Sequence, residues 1–188
     1  MDRRLFLGTF AAVAGTAAAL TRPSLFARDA SGPAPTGARR SGTEPDWEPL
    51  ELPEERWREI LTSEEFAILR DSGTERAGSS PLNEEKRSGT FICAGCFLPL
   101  FASDDKFMSG TGWPSFTRPI EDENIETKLD FKIIIPRTEY HCARCGGHQG
   151  HRFNDGPEPT GKRYCNNGDA LDFVPEGEEL PELRQETS

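Results

Sequence analysis

The chain has 188 residues, of which 35% are hydrophobic, so it is long enough for one domain with an additional terminal segment. Its formal net charge of −10 argues against nucleic acids and anionic membrane surfaces as partners, because both require a positively charged face. The 18 glycines and 15 prolines favour strands and loops over a long helical bundle.

The N-terminus has the pattern of an export signal. Arg3 and Arg4 precede an apolar, alanine-rich run, and the order R-R-x-F-L resembles the twin-arginine signal. We therefore expect residues 1–27 to be a twin-arginine-type signal peptide and the protein to be exported to the periplasm or cell envelope. An uncleaved membrane anchor is the alternative, although the apolar run is short for a span. Residues 28–46 are rich in proline, glycine and serine and predict a disordered linker.

The ordered domain is predicted over residues 47–178 and begins with two short helices. Pro53 suits the first turn of a helix, and Thr62 with Glu65 has the spacing of a capping box. Gly73 suits the end of the second helix.

Past residue 88 the pattern changes to short segments of β-branched and aromatic residues bounded by glycine and proline, which is typical of strands. These segments are GTFICAGC, FKIIIP, TEYHCARC and RYCNNGDALDFVP. The sequence therefore predicts a compact, mainly β domain with short N-terminal helices. Residues 179–188 are acidic and predict a frayed tail.

Four of the five cysteines form two C-x-x-C pairs, Cys93 with Cys96 and Cys142 with Cys145. Two such pairs suit four thiolates around one Zn²⁺, a structural site with no open position for water. Two disulfides are an alternative in an exported protein. A redox-active dithiol is another, although the βαβ setting of that motif is not predicted here. The doubled spacing favours zinc, which can be loaded before export because the twin-arginine route carries folded proteins.

The fifth cysteine, Cys165, stands between Arg163 and Asn167. On a strand these three side chains share one face, where the arginine charge would favour a thiolate and the asparagine could donate a hydrogen bond. His148 and His151 precede them in a glycine-rich stretch. This combination favours a reactive thiol, and a buried, inert thiol is the alternative.

Several segments resemble the methionine-R-sulfoxide reductases of type B. They are RSGTFICAGC, LFASDDKFMSGTGWPSF and RTEYHCARCGGHQGHRFNDGPEPTGKRYCNNGDALDF, and the similarity covers roughly residues 50–175. The pattern HxGHxFxDGPxPTGxRYCxN is highly specific. The resemblance implies two antiparallel sheets with flanking N-terminal helices, a fold of the Mss4-like or β-tent type. It also implies one structural zinc ion, reduction of methionine-R-sulfoxide to methionine, and repair of oxidised proteins.

The resemblance also assigns roles to individual positions. The catalytic positions are the nucleophile Cys165 together with His151, Arg163 and Asn167. The substrate-binding positions are Trp113, His148 and Phe153. The zinc ligands are Cys93, Cys96, Cys142 and Cys145. We expect His151 to protonate the sulfoxide oxygen while Cys165 attacks the sulfur and becomes a sulfenic acid.

The sequence departs from the family at Thr111, at Asn166 and at Arg152, the last of which stands where valine is common. Thr111 precedes G-W-P-S-F where many members have a second cysteine that attacks the sulfenic acid. We therefore expect an external thiol or a thioredoxin-like partner to reduce Cys165, in a monomeric enzyme. Asn166 replaces a usually apolar residue and should point away from Cys165. The competing hypotheses are a zinc-stabilised binding module without catalysis and a thiol–disulfide exchange protein that uses the C-x-x-C pairs.

Overall fold

A computed structural model describes residues 45–130 and 137–187. The predicted signal peptide, nearly all of the predicted linker and the predicted strand FKIIIP lie outside the described residues. Within the described ranges, no helix has both the length and the apolar character needed to cross a membrane.

Two short helices begin the domain, α1 at Glu54–Ile60 and α2 at Ser63–Leu69. The predicted capping box is confirmed: the Glu65 N–H donates to Thr62 Oγ1 at 3.2 Å, and the Thr62 N–H donates to Glu65 Oε2 at 2.8 Å. Each bond satisfies a backbone donor that the helix start leaves unpaired. The first turn of α2 is therefore fixed by its local sequence.

The end of α2 differs from the expectation in its detail. Ser72, with a φ of 53°, adopts the left-handed conformation that often ends a helix, one residue before Gly73. Gly73 is required for space instead, because a Cβ at this position would lie 2.7 Å from the carbonyl oxygen of Ala67. The Gly73 N–H donates to that same oxygen at 2.9 Å.

The remaining elements form two antiparallel sheets. The smaller sheet has the order β2-β1-β9, and the larger has the order β3-β4-β8-β7-β6-β5. In chain order the strands are β1 Gly89–Cys93, β2 Pro99–Ala102, β3 Lys106–Phe107, β4 Ser115–Phe116, β5 Ile125–Asp130, β6 Arg137–Cys142, β7 His148–Phe153, β8 Arg163–Asn166 and β9 Leu171–Pro175. This architecture confirms the predicted mainly β domain with short N-terminal helices.

Aromatic residues from both sheets form the centre of the core. Phe101 on β2 stacks on Phe116 on β4 with ring centroids 4.3 Å apart, and Phe91 on β1 meets Phe116 edge-on at 5.0 Å. Tyr140 on β6 is fully buried beside them. These contacts between rings bury a large apolar area and bring β4 and β6 of the larger sheet onto the smaller one.

The acidic C-terminal segment contacts the domain as far as Arg184. The Arg184 N–H donates to the Cys96 carbonyl at 3.2 Å, and the Arg144 guanidinium donates to the Arg184 carbonyl at 2.7 Å. The Arg184 guanidinium also lies 4.4 Å from the centre of the Phe97 ring. This segment therefore covers the turn that holds the first cysteine pair.

Candidate active site and metal centre

Strand pairing brings Cys165 and His151 together. On β8, Cys165 is in register with His151 on β7 and with Ser115 on β4. Gly150 lets β7 and β8 approach, because a Cβ there would collide with the carbonyl oxygen of Cys165. A cavity of about 120 Å³ opens at this position, and its lining residues are Thr74, Trp113, Arg137, Gly150, His151, Phe153, Cys165, Asn166 and Asn167.

The structure brings five of the predicted site residues to this cavity: Cys165, His151, Asn167, Trp113 and Phe153. Two others lie outside its lining. Arg163 is two residues before Cys165 on β8 and interacts with the thiol. His148 is buried behind His151, with the two ring centroids 5.6 Å apart. His148 is thus placed to act on His151 more directly than on a substrate.

The Cys165 thiol is free and half-buried, and two opposing effects act on its acidity. Burial raises the pKa of this thiol and is the larger effect. The charge of Arg163 and hydrogen bonds from Thr111, Arg163 and Ser115 lower the pKa without compensating for burial. Arg163 therefore favours the thiolate as predicted, but the resting group is a thiol at neutral pH.

A short chain of hydroxyl groups lies beside the thiol. Ser109 Oγ is 2.8 Å from Thr111 Oγ1 and 2.7 Å from Ser115 Oγ. Thr111 and Ser115 in turn interact with the Cys165 sulfur. Thr111 is thus a hydrogen-bonding partner of Cys165.

His151 is oriented by a buried carboxylate that the sequence did not suggest. Its Nε2 lies 3.1 Å from Asp130 Oδ2, and Arg137 donates to the same oxygen at 2.8 Å. Burial lowers the pKa of His151, whereas the hydrogen bond to Asp130 raises it. Because burial is the larger effect, the imidazole is neutral at neutral pH, and its Nε2 is committed to Asp130.

Two further acidic residues hold the predicted site residues in place. Asp155 binds the Arg163 guanidinium through two hydrogen bonds of 2.9 and 2.7 Å. The Phe153 ring also lies 4.3 Å from this guanidinium. Together the two contacts fix the position of the positively charged group. Asp155 is the aspartate of the pattern HxGHxFxDGPxPTGxRYCxN, so the sequence alone could have identified it as a site residue.

The second of these residues, Glu75, lies in the loop after α2. Its carboxylate accepts the backbone N–H groups of Gly168 and Asp169 at 2.9 and 2.8 Å. Its backbone carbonyl accepts the Trp113 indole N–H at 3.3 Å, and its backbone N–H donates to Asn167 Oδ1 at 3.2 Å. Burial raises the pKa of Glu75. One loop residue therefore fixes two of the side chains that line the cavity.

Asn167 and Asn166 point in different directions. The Asn167 amide donates to the Gln149 carbonyl at 3.0 Å, so one donor of the predicted thiol partner is already committed. Asn166 is fully buried, and its Oδ1 accepts the Tyr140 hydroxyl at 2.6 Å. The Asn166 side chain thus lies on the core side of β8, as the strand alternation predicted.

The four paired cysteines converge at a single point. Cys93 and Cys145 Sγ atoms are 3.7 Å apart, those of Cys96 and Cys142 are 3.5 Å apart, and all four atoms lie within 4.8 Å of one another. Four sulfurs at 2.3 Å from a tetrahedral zinc ion would be separated by about 3.8 Å. The donor set and its spacing therefore fit one structural zinc ion, as predicted.

The two turns that carry these ligands have matching backbones. Phe97 and Gly146 each follow the second cysteine of a pair and have φ values of 67° and 69°. The N–H of each donates to the carbonyl of the first cysteine, Cys93 or Cys142. Because Cys93 ends β1 and Cys142 ends β6, the metal centre joins the two sheets.

A free thiol in a cavity, with a separate four-cysteine metal centre elsewhere in the fold, is the arrangement expected of a thiol-dependent enzyme with a structural zinc site. A family model described as the SelR domain matches residues 61–175. This match, together with relatives 47–50% identical that are named peptide methionine sulfoxide reductase MsrB, shows that the chain belongs to the peptide methionine sulfoxide reductase B family and is an oxidoreductase.

Individual relatives agree with this assignment. The chain is 48% identical over 129 residues to the peptide methionine sulfoxide reductase MsrB of Methanosarcina barkeri, which covers 69% of this chain and 91% of that protein. It is 47% identical to the protein of the same name from Leptospira interrogans, over 65% of this chain and 94% of the relative. The corresponding Pseudomonas putida protein is 50% identical, over 64% of this chain and 91% of the relative.

Proposed function

We propose that this protein reduces methionine-R-sulfoxide residues in oxidised proteins, with Cys165 as the nucleophile. The observation that carries the proposal is the position of the Cys165 thiol in the cavity, opposite His151 and close to Trp113. The indole face can hold the substrate methyl group and sulfur through a sulfur–aromatic contact. Phe153 supplies a second apolar surface in the same cavity.

The chemical step uses one proton, which Cys165 and His151 share. In the resting pair the proton is on the thiol and the imidazole is neutral. Its transfer gives a thiolate that attacks the sulfoxide sulfur and an acid that protonates the sulfoxide oxygen. The attack forms a bond between the two sulfur atoms. The protonated oxygen then passes to the Cys165 sulfur as this bond and the substrate sulfur–oxygen bond break. Cys165 is thereby oxidised by two electrons to a sulfenic acid, and the substrate leaves as methionine. His151 would donate through Nδ1, since Nε2 faces Asp130.

Regeneration in this proposal depends on an external thiol. One thiol condenses with the sulfenic acid, releasing water and forming a mixed disulfide with Cys165. A second thiol then attacks this disulfide and restores Cys165. The support is that Thr111 occupies the neighbouring position while the other four cysteines meet at the metal centre. A thioredoxin-like protein or a small thiol can provide both equivalents.

The zinc ion has no place in this reaction. Four sulfur ligands leave it without an open coordination position, so bound zinc contributes stability to the fold.

The decisive experiment measures turnover of each epimer of a peptide methionine sulfoxide by the zinc-loaded protein with dithiothreitol. We expect turnover of the R epimer, none of the S epimer, and complete loss in Cys165→Ser. Free methionine sulfoxide assayed in parallel reveals the preference between free and peptide-bound substrate. Failure of the folded, zinc-loaded protein to reduce either epimer would favour a binding module instead.

We also propose that the protein works outside the cytoplasm, as the arginine pair at its N-terminus suggests. The test replaces Arg3 and Arg4 by lysine in a full-length reporter fusion. We expect the wild-type fusion to be exported and the double variant to stay in the cytoplasm. Equal distribution of both fusions would contradict export by the twin-arginine route.

A further inference from the structure

Behind the cavity, three buried side chains converge from two strands. Glu139 and His141 lie on the same face of β6, and His148 lies on β7 in register with His141. The register shifts between Tyr140 and His141, and the resulting bulge brings His148 next to Glu139. The donor atoms of these three side chains lie within 4.8 Å of one another.

The contacts inside this cluster are short but poorly aligned for hydrogen bonds. Glu139 Oε1 is 2.6 Å from His148 Nδ1 and 3.2 Å from His141 Nε2. Despite this proximity, Glu139 Oε1 and both ring nitrogens of His148 have no hydrogen bond of acceptable geometry among the described residues. Their side chains are only 3–4% exposed. Buried polar atoms in this condition point to a ligand that satisfies them.

We propose that Glu139, His141 and His148 bind a second divalent transition-metal ion, separate from the ion at the four cysteines. Two imidazoles and one carboxylate form a donor set that suits zinc and related ions of intermediate softness, such as Co²⁺. Bonds of about 2.1 Å to a tetrahedral ion would place the donor atoms about 3.4 Å apart. Small side-chain rotations from the observed 2.6 and 3.2 Å reach this spacing.

The charges around the cluster are compatible with a bound cation. Lys128 Nζ lies 3.7 Å from Glu139 Oε2, on the side away from the imidazole contacts, and its side chain is 61% exposed and free to turn outward. Glu126, in register with His141 on β5, adds a further negative charge nearby.

The test begins with full-length protein that contains one zinc ion per chain in the four-cysteine centre, and titrates it with Co²⁺. We expect one further ion per chain, seen by equilibrium dialysis. Its spectrum should show weak d–d absorption without a thiolate-to-cobalt charge-transfer band, because its ligands are nitrogen and oxygen. Proton NMR should show paramagnetic shifts of the His141 and His148 rings in the wild-type protein. Absence of a second ion, or a thiolate band, would overturn the proposal.

Two matched variants locate the ion. His141→Gln should weaken Co²⁺ binding by about 100-fold or more, since losing even an outer-shell partner of a metal costs 10–100-fold. His151→Gln should bind the second ion as the wild type does, although it is expected to lose reductase activity. Far-UV circular dichroism and retention of the first zinc ion verify the fold of each variant. Unchanged affinity in folded His141→Gln would reject the site whether or not the protein is a reductase.

Discussion

At the scale of single residues, the acidity of Cys165 shows two effects in competition. Arg163, Thr111 and Ser115 all favour the thiolate, yet burial outweighs them and keeps the proton on sulfur. Burial also keeps His151 neutral. The pair therefore holds one proton over a wide pH range, and in the proposed reaction this proton is transferred to the oxygen of a bound sulfoxide. A resting thiol of this kind reacts slowly with other oxidants, since the thiolate is the reactive form.

The pH dependence of the reaction follows from these directions. Because burial lowers the pKa of His151 and raises that of Cys165, kcat/KM should be flat over the pH range between these two pKa values. At lower pH, kcat/KM should fall because His151 is protonated and the pair then holds two protons. At higher pH, it should fall because Cys165 is deprotonated and the pair then holds none. Asp130→Asn should move the acid limb to lower pH, because Asp130 raises the pKa of His151. Profiles of kcat/KM for both proteins check this. An unmoved limb, as expected for the exposed control Asp104→Asn, would contradict the role of Asp130.

A second residue-scale prediction concerns Thr111, whose hydroxyl interacts with the Cys165 thiol. Thr111→Cys should convert the sulfenic acid into an internal disulfide. After one equivalent of substrate without reductant, the wild type should lose one reactive thiol and be trapped by a sulfenic-acid reagent. Thr111→Cys should lose two thiols and escape trapping, whereas Thr111→Ser should behave as the wild type. Mass spectrometry of the Cys165 peptide distinguishes these products, and an internal Cys165 disulfide in the wild type would refute the one-cysteine cycle.

At the scale of elements, the loop after α2 organises the cavity from outside the sheets. Glu75 joins the start of the 3₁₀ turn at Gly168–Ala170 to Trp113 and Asn167 through four hydrogen bonds. Two of these bonds come from its carboxylate and two from its backbone. The loop therefore positions an aromatic wall and an amide that the sheets alone would leave adjustable.

Removal of the Glu75 carboxylate should affect both stability and substrate binding. Glu75→Ala leaves the buried Gly168 N–H unpaired and should destabilise the fold by about 1–3 kcal/mol. It should also raise KM more than it lowers kcat, because it loosens Trp113 without touching the reacting atoms. Glu75→Gln keeps one acceptor and should recover part of both losses. Denaturant unfolding and steady-state kinetics measure the effects, with Arg76→Ala as the neighbouring control. A loss of kcat alone in Glu75→Ala would contradict a positioning role.

Local sequence predicted the elements whose cause is local. The Thr62–Glu65 capping box and the two cysteine turns are set by residues three or fewer positions apart, so short patterns reveal them. Glu75 and Asp130 act through contacts with residues distant in the chain, and neither stands in a periodic pattern. At the end of α2, Ser72 rather than Gly73 has the left-handed backbone angle. Glycine is needed at position 73 because a Cβ there would lie too close to the Ala67 carbonyl, and a short sequence pattern does not reveal such a contact.

At the scale of the whole molecule, one metal centre joins the two sheets. Cys93 ends β1 in the smaller sheet, and Cys142 ends β6 in the larger sheet. Both sheets also share the Phe91, Phe101 and Phe116 rings. The sequence predicted the ligand set and the fold class. The strand register that places His151 opposite Cys165 became visible only in the structure, because register depends on long-range pairing and a bulge.

Removal of zinc should unfold the domain. Binding of a structural zinc ion contributes on the order of 10 kcal/mol, comparable to the entire stability of a small domain. Chelation, or the substitution Cys93→Ser, should therefore abolish the cooperative thermal transition. Cys165→Ser is the matched control and should keep both zinc and the transition. Differential scanning calorimetry with zinc analysis tests this, and a chelated protein that melts like the zinc-bound form would show that the metal is dispensable.

The threonine at position 111 has a kinetic consequence. A protein that closes an internal disulfide moves its oxidised sulfur away from the place where the substrate binds, and its reductant can attack elsewhere. In the proposed one-cysteine cycle the oxidised sulfur would stay in the same cavity of about 120 Å³, so methionine sulfoxide and the reductant would have to enter in turn. The steady state should be ping-pong with mutual competition: excess sulfoxide slows re-reduction, and an excess of a bulky thiol slows oxidation. Such an enzyme would be matched to one working ratio of oxidised protein to reductant.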